Sequence, residues 1–241
     1  MSSFSALKEK AWKANTELPQ TGLVVHTFGN VSAIDRQQGA VAIKPSGIPY
    51  ADLRVEDMVV VDLQNNILEG SLRPSSDVKT HLLLYRTFSA IGGIVHTHSR
   101  YATAWAQATK PIPILGTTHA DLCPGDIPCT KVMTDTAIRR DYEEETGQQI
   151  LRTFRSRSYE ETPMVLVACH GPFAWGRTAE EALYHAVMLE EIARIALLTL
   201  RVNPRIPRLK RSLVRKHFQR KHGPDAYYGQ MHAESKEESR R

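Results

Sequence analysis

Two histidines separated by one residue, His96 and His98, close the run Ile91-Gly92-Gly93-Ile94-Val95-His96-Thr97-His98-Ser99. In an extended strand, residues i and i+2 share a face. The spacing therefore predicts two imidazoles projecting together and able to converge on one ion. Neutral imidazole is the commonest protein donor to zinc and other divalent first-row metals. Alone, His-x-His is equally an ordinary polar pair at a strand end. A third imidazole, His170, follows the apolar run 164–169 and precedes Gly171-Pro172, where a chain turns. Three histidines at or near predicted strand ends give the donor number of a catalytic metal site, with positions left open for water or substrate. Asp77 offers a carboxylate at a predicted helix start, where an N-cap role competes with ligation. His81, one turn further, is a rival ligand, although the neighbouring Leu82-Leu83-Leu84 favours packing.

Two small turns suit an anion. Lys44-Pro45-Ser46-Gly47 and Pro74-Ser75-Ser76 carry hydroxyls and backbone N–H groups, the second beside a helix N-terminus, and Gly29-Asn30 adds an amide. Each is also a common turn sequence. No Gly-x-x-x-x-Gly-Lys or Gly-x-Gly-x-x-Gly occurs, so nothing points to a nucleotide or nicotinamide loop. Asp121 could exchange a proton if a dry pocket raised its pKa, and a tyrosine of Tyr227-Tyr228-Gly229-Gln230 could do so if a nearby metal lowered its own. A turn aspartate and a packing aromatic are the plain alternatives.

The elements that must position these groups come in an order that favours antiparallel pairing. Strands are predicted over 22–28, 40–44 and 57–63, the last turning at Asn65-Asn66 into 67–69. Helices are predicted over 6–18, after Asp77, over 100–108 and over 134–154, with short strands at 112–115 and 164–169. Thr178 and Glu181 have capping-box spacing and open a long helix. The expected architecture is a single-domain, three-layer α/β/α fold with a central, mainly antiparallel sheet over residues 1–230. A polar, disordered tail is expected over 231–241.

With 41% apolar and 24% charged residues in 241, the composition is that of a soluble globular protein. No secretory leader or membrane-length apolar run is found, and three cysteines without Cys-x-x-Cys spacing read as reduced thiols of a cytoplasmic protein. The net charge of +5 is uneven: residues 192–224 hold no acid but many arginines and lysines. A nucleic-acid surface is one reading of that run. Without interleaved aromatics, a solvated face or a contact with anionic substrate or a neighbouring subunit is the better one.

Taken in order, the motifs resemble the bacterial L-ribulose-5-phosphate 4-epimerases of the class II aldolase family. The resemblance rests on Gly29-Asn30-Val31-Ser32, Ile43-Lys44-Pro45-Ser46-Gly47, the stretch from Arg73 to Asp77, and Gly92 to Ser99. Gly116-Thr117-Thr118-His119-Ala120-Asp121, His170-Gly171-Pro172-Phe173-Ala174-Trp175-Gly176 and Tyr227-Tyr228-Gly229-Gln230 complete it. It implies His96, His98 and His170 as zinc ligands, replaceable by manganese or cobalt, with Asp77 as a further or conditional ligand. It implies Gly29, Asn30, Ser46, Gly47, Ser75 and Ser76 around the substrate and its phosphate, with Lys44 adding charge. Asp121 and Tyr228 would be the acid/base pair, and His217 a supporting residue near the phosphate. The implied reaction is metal-dependent cleavage of C3–C4 in L-ribulose 5-phosphate, rotation of glycolaldehyde phosphate and re-addition, giving D-xylulose 5-phosphate. It would belong to pentose phosphate metabolism such as arabinose breakdown. The implied assembly is a cyclic homotetramer in which the tyrosine reaches the adjacent subunit. Two departures stand out: Leu122-Cys123-Pro124-Gly125-Asp126 lacks the aromatic run some relatives show, and the tail after Gln230 is an extension. The nearest rival is an aldolase of the fuculose or rhamnulose phosphate type, which carries glutamate where this chain has Asp77.

Overall fold

The computed structural model describes residues 3–223 and 226. Its elements run α1 (Ser5–Glu17), β1 (Asn30–Asp35), β2 (Ala40–Ile43), β3 (Val59–Asp62), β4 (Ile67–Glu69), α2 (Val78–Thr87), β5 (Gly93–His96) and α3 (Arg100–Gln107). They continue through α4 (Thr117–Ala120), α5 (Asp135–Thr153), β6 (Met164–Leu166), β7 (Pro172–Gly176), α6 (Ala179–Val202) and α7 (Arg211–His222). The strands form one sheet of order β4-β3-β2-β1-β5-β7-β6, antiparallel at every step.

Side-chain alternation divides the core. Val31 and Ala33 of β1, Ala40 and Ala42 of β2 and Val95 of β5 share one apolar cluster with α1, α3 and α6. Val41, Ile43, Ile94, Phe173 and Trp175 face the other way, into a cluster with α2 and α5. The result is the expected three layers. The long α6 lies close on the sheet because its buried stripe is mostly alanine: Ala179, Ala182, Ala186, Ala193 and Ala196. Glycines face it. A Cβ at Gly93 would lie 2.4 Å from the Ala179 backbone, and one at Gly176 would lie 2.7 Å from the Ala182 nitrogen. The Thr178 hydroxyl accepts from the Glu181 amide at 3.1 Å, while the Glu181 carboxylate takes the Arg177 amide, one residue before the capping-box donor.

Several sequence expectations need correction. Residues 22–28 are not a strand: Gly22 and His26 take positive φ (73° and 53°), and Val25 and Phe28 are 55% and 60% exposed. The first strand begins instead at Asn30. Residues 112–115 make only an isolated bridge, Ile112 to Ile127, because the flanking prolines lack the N–H that would extend it. The strand expected over 164–169 stops at Leu166, and Cys169 takes φ 61°. The 134–154 helix is present but broken at Asp141 (φ −168°, ψ 96°). Strand β7 and helix α7 were not foreseen. Tyr228 and the tail 231–241 lie outside the described residues.

Candidate metal and sugar-phosphate site

The site lies where β1, β5 and β7 end together. His96 is the last residue of β5, opposite Asn30 on one side and Phe173 on the other. Thr97 and His98 continue past the sheet, and the Glu190 carboxylate receives the Tyr101 and Ala102 amides at 2.9 Å, pinning the start of α3 just beyond them. His170 precedes β7. The ligand atoms of His96, His98 and His170 all lie within 4.8 Å of one another. So the two-residue spacing did bring the rings together, with the strand ending at the first of them.

Hydrogen bonding and burial orient these rings toward a ligand role. His96 Nδ1 lies 2.9 Å from the Pro172 carbonyl, an acceptor only, so Nδ1 carries the proton and Nε2 keeps its lone pair. Phe173 stacks on that ring at 4.2 Å. Burial, and then the nearby His96 charge, hold the His98 pKa below its ordinary value. Burial followed by His96 and His98 takes His170 down to about 3. His170 Nδ1 is buried without a hydrogen-bond partner. Three close imidazoles fit a divalent first-row cation, and the donor chemistry accepts zinc, manganese or cobalt alike.

Asp77 occupies the N-cap position of α2 but makes no capping bond with its side chain. Its Oδ2 accepts from the Asn30 amide at 2.7 Å instead. Burial pushes this carboxyl up, but the His96 and His81 charges and the Asn30 hydrogen bond outweigh it, and the pKa is lowered. His81, the rival ligand, is fully buried with Nδ1 2.7 Å from the Ser32 hydroxyl, and it is not part of the converging set.

The two turns proposed for an anion lie side by side. The Ser46 amide donates to the Arg73 carbonyl at 2.9 Å, the Ser75 amide to the Lys44 carbonyl at 3.0 Å, and Pro45 bridges Pro74. Ser75 Oγ also accepts from Asn30 at 3.0 Å. Ser46, Gly47 and Ser76 are exposed on the same turns. Lys44 is buried, its Nζ 4.8 Å from the Tyr50 ring centre and 3.3 Å from the Pro45 carbonyl. Among the described residues it has no carboxylate partner, and burial lowers its pKa to about 8. Tyr50 donates to the Gly29 carbonyl at 2.8 Å. Gly29 (φ 112°) has no room for a side chain, since a Cβ would lie 2.8 Å from Val24 and 3.1 Å from the His96 carbonyl.

Asp121 and His217 meet each other (2.9 Å) but not the imidazoles. Asp121 caps α4 and faces α7, where Arg220 lies at 2.8 Å and Lys221 at 3.8 Å. Burial raises its pKa, but hydrogen bonds from Arg220 and His217 dominate and the net shift is downward. The raised pKa considered from the sequence is not found. The same pairing, with Arg208 on Asp126 at 2.6 Å, engages part of the basic run with acids. Sequence reasoning gave no role to Tyr50, to Phe173, or to Tyr142, whose ring centre is 5.9 Å from His170. The break at Asp141 was the missing signal for Tyr142, and no local pattern announces it.

An antiparallel seven-stranded sheet between helical layers, with an imidazole cluster at the strand ends and serine turns alongside, defines a fold shared with class II aldolases. The chain belongs to the Class II Aldolase and Adducin N-terminal domain family, whose profile matches residues 9–197. It is similar in structure to an L-fuculose 1-phosphate aldolase (TM-score 0.76, 27% identity, 91% of this chain and 97% of that one). It also resembles YgbL, a putative aldolase/epimerase/decarboxylase from Klebsiella pneumoniae (TM-score 0.67, 25% identity, 90% and 99% covered). A third likeness is to the L-fuculose-1-phosphate aldolase of Thermus thermophilus (TM-score 0.64, 25% identity, 82% and 97% covered). Class II aldolases are typically zinc-dependent, and the L-fuculose 1-phosphate aldolases among these relatives are named for a sugar-phosphate substrate. Among the described residues, no helix is long and apolar enough to cross a membrane.

Proposed function

We propose that this chain cleaves the C3–C4 bond of L-ribulose 5-phosphate and re-forms it with inversion at C4, a metal-dependent 4-epimerase. The observation that carries the metal-dependent reading is the convergence of His96, His98 and His170. A divalent ion held by these three imidazoles would supply Lewis acidity to the ketose oxygens. Lys44, Ser46, Gly47, Ser75, Ser76 and Asn30 bind the phosphate end. Lys44 is suited to this because a buried ammonium without a carboxylate gains most from an arriving dianion.

Inversion needs proton transfer on opposite faces of the cleaved bond. In our reading Asp121 and Tyr228 serve as that pair, with His217 supporting the phosphate. Asp121 caps α4 and pairs with α7, not with the imidazoles of its own chain, so we assign this half of the site to an adjacent copy in a homotetramer. The shorter acid at Asp77, in place of glutamate, supports epimerase over aldolase. A second reading, fuculose- or rhamnulose-phosphate aldolase, is favoured by the names of the structural relatives. The test is incubation of the zinc-loaded protein with L-ribulose 5-phosphate and, separately, L-fuculose 1-phosphate. D-xylulose 5-phosphate as main product upholds the epimerase, whereas free glycolaldehyde phosphate or cleaved fuculose phosphate establishes the aldolase.

A further inference from the structure

A separate cavity, of about 670 Å³, opens at the C-terminal end of α5 and shares no residue with the imidazole cluster or the serine turns. Its volume is that of a small-molecule pocket, about 300–1,000 Å³. Arg152, Arg155 and Arg157 line it from the last turn of α5 and the turn beyond, and Lys131 lines it from the segment before α5. Among the described residues no aspartate or glutamate lines it. Arg152 pairs with Glu145 at 3.5 Å, a carboxylate that Arg140 shares. Lys131, Arg155 and Arg157 have no carboxylate partner among the described residues.

Both walls are fixed by the fold. Cys129 bridges Leu166 in parallel, and the Thr130 amide donates to the Leu166 carbonyl at 2.8 Å, so β6 places Lys131. On the other wall Phe154 is buried against Phe88 and Trp175, with ring centres at 5.9 and 5.2 Å. Its carbonyl accepts from the Arg157 amide at 3.2 Å, so Arg155 and Arg157 sit on an anchored turn. Cations near a helix C-terminus are ordinary, because they complement its dipole. That accounts for Arg152 and Arg155, but not for Lys131, which another segment supplies, nor for Gln149. Gln149 lines the cavity, is only 8% exposed, and its side-chain amide makes no hydrogen bond among the described residues. A buried amide left unpaired is costly, and a ligand in the cavity would satisfy it.

The lining selects a ligand class. Guanidinium groups bind phosphoryl oxygens through paired hydrogen bonds, and a set of cations without acids favours more than one such group. The Gln149 amide and the Ser156 hydroxyl suit hydroxyl groups between them. Among the described residues no aromatic ring lines the cavity, so nothing there would stack a nucleobase. We propose that this cavity binds a small polyol carrying two phosphoryl groups, at a site separate from the catalytic centre. Lys131 and the arginines hold the phosphoryl ends, and Gln149 reads a hydroxyl. The inference does not depend on which sugar phosphate the metal site processes.

The experiment is calorimetric titration of the full chain carrying Lys44→Met, which disables the proposed catalytic phosphate pocket. The probes are fructose 1,6-bisphosphate, inorganic pyrophosphate, sorbitol and a single-stranded oligonucleotide. The bisphosphate should bind at one equivalent, about tenfold or more tighter than pyrophosphate, and sorbitol should not bind measurably. Replacing both exposed arginines, Arg155→Gln with Arg157→Gln, should weaken the bisphosphate about 10–100-fold at unchanged Tm. Gln149→Leu should weaken it about tenfold and leave pyrophosphate affinity unchanged. No phosphate binding in the Lys44→Met background, or bisphosphate affinity that survives the arginine pair, refutes the site. Pyrophosphate binding as tightly as the bisphosphate refutes the polyol. Tighter binding of the oligonucleotide, lost in the same arginine pair, overturns the proposal in favour of a nucleic-acid surface.

Discussion

Gly171 separates the third histidine from β7, and replacing it with alanine tests the imidazole cluster directly. An added Cβ would lie 2.7 Å from the Thr97 carbonyl oxygen, 3.4 Å from His96 Cε1 and 3.6 Å from His98 Cδ2. An ordinary carbon–oxygen contact is about 3.3 Å, so roughly 0.6 Å must be found somewhere in a close-packed interior. The obstructing atom is backbone, and it sits between the two metal-facing residues of the His-x-His pair. It cannot retreat without carrying a ring with it. Overpacking of this kind costs about 1–3 kcal/mol, a fall of roughly 2–10 °C in Tm for a chain of this size. Displacing a ligand ring by about half an ångström should weaken Co²⁺ binding about 10–100-fold. Gly125→Ala is the control, since nothing lies within 4 Å of its added methyl. Competition with a chromophoric chelator, alongside thermal melts, measures both effects. Parent-like Co²⁺ affinity and Tm in Gly171→Ala would refute the idea that these rings form one rigid donor set.

Two further outcomes follow from buried charges. Lys44 has its pKa lowered to about 8 from 10.5, so between these values the unfolded chain binds more protons and stability rises with pH, by up to about 1.4 kcal/mol per unit. Lys44→Met should abolish that rise in melts from pH 8 to 10. It should also abolish proton uptake on phosphate binding near pH 9, read by calorimetry in buffers of different ionisation enthalpy, and a slope that persists would clear Lys44 of both roles. At the acid end, His81 and His170 are lowered to about 3 and His119 to about 4 from 6.5, chiefly by burial. Their folded forms resist protonation, so stability is complete above pH 6.5 and lost below it, at up to about 1.4 kcal/mol per unit for each ring. A metal-free Tm that stays flat from pH 7 to 5 would contradict this.

Much of the site was legible because it is written in short-range spacing. His96 and His98 are two apart in a strand-forming run, and the Asp77 helix start follows its serine turn directly. What escaped notice depends on long-range or conformational facts. Leu23-Val24-Val25 reads as β-structure, yet positive φ at Gly22 and His26 bends it into a loop. β7 opens with a proline and all five of its residues are buried, so no apolar–polar alternation declares it. Lysine is rarely buried, so nothing in Lys44-Pro45-Ser46 foretold an enclosed ammonium over Tyr50. The lowered pKa of Asp121 comes from Arg220, 99 positions away, a partner no local pattern discloses.

The hydrogen bond from His96 Nδ1 to the Pro172 carbonyl ties a reactive ring to the backbone of the neighbouring strand. Two of the three donors thus depend on one strand pairing, between β5 and β7, in the interior of the sheet. Heat or denaturant should therefore release the ion and melt the sheet in a single event, making bound metal a sensor of whether the whole molecule is folded.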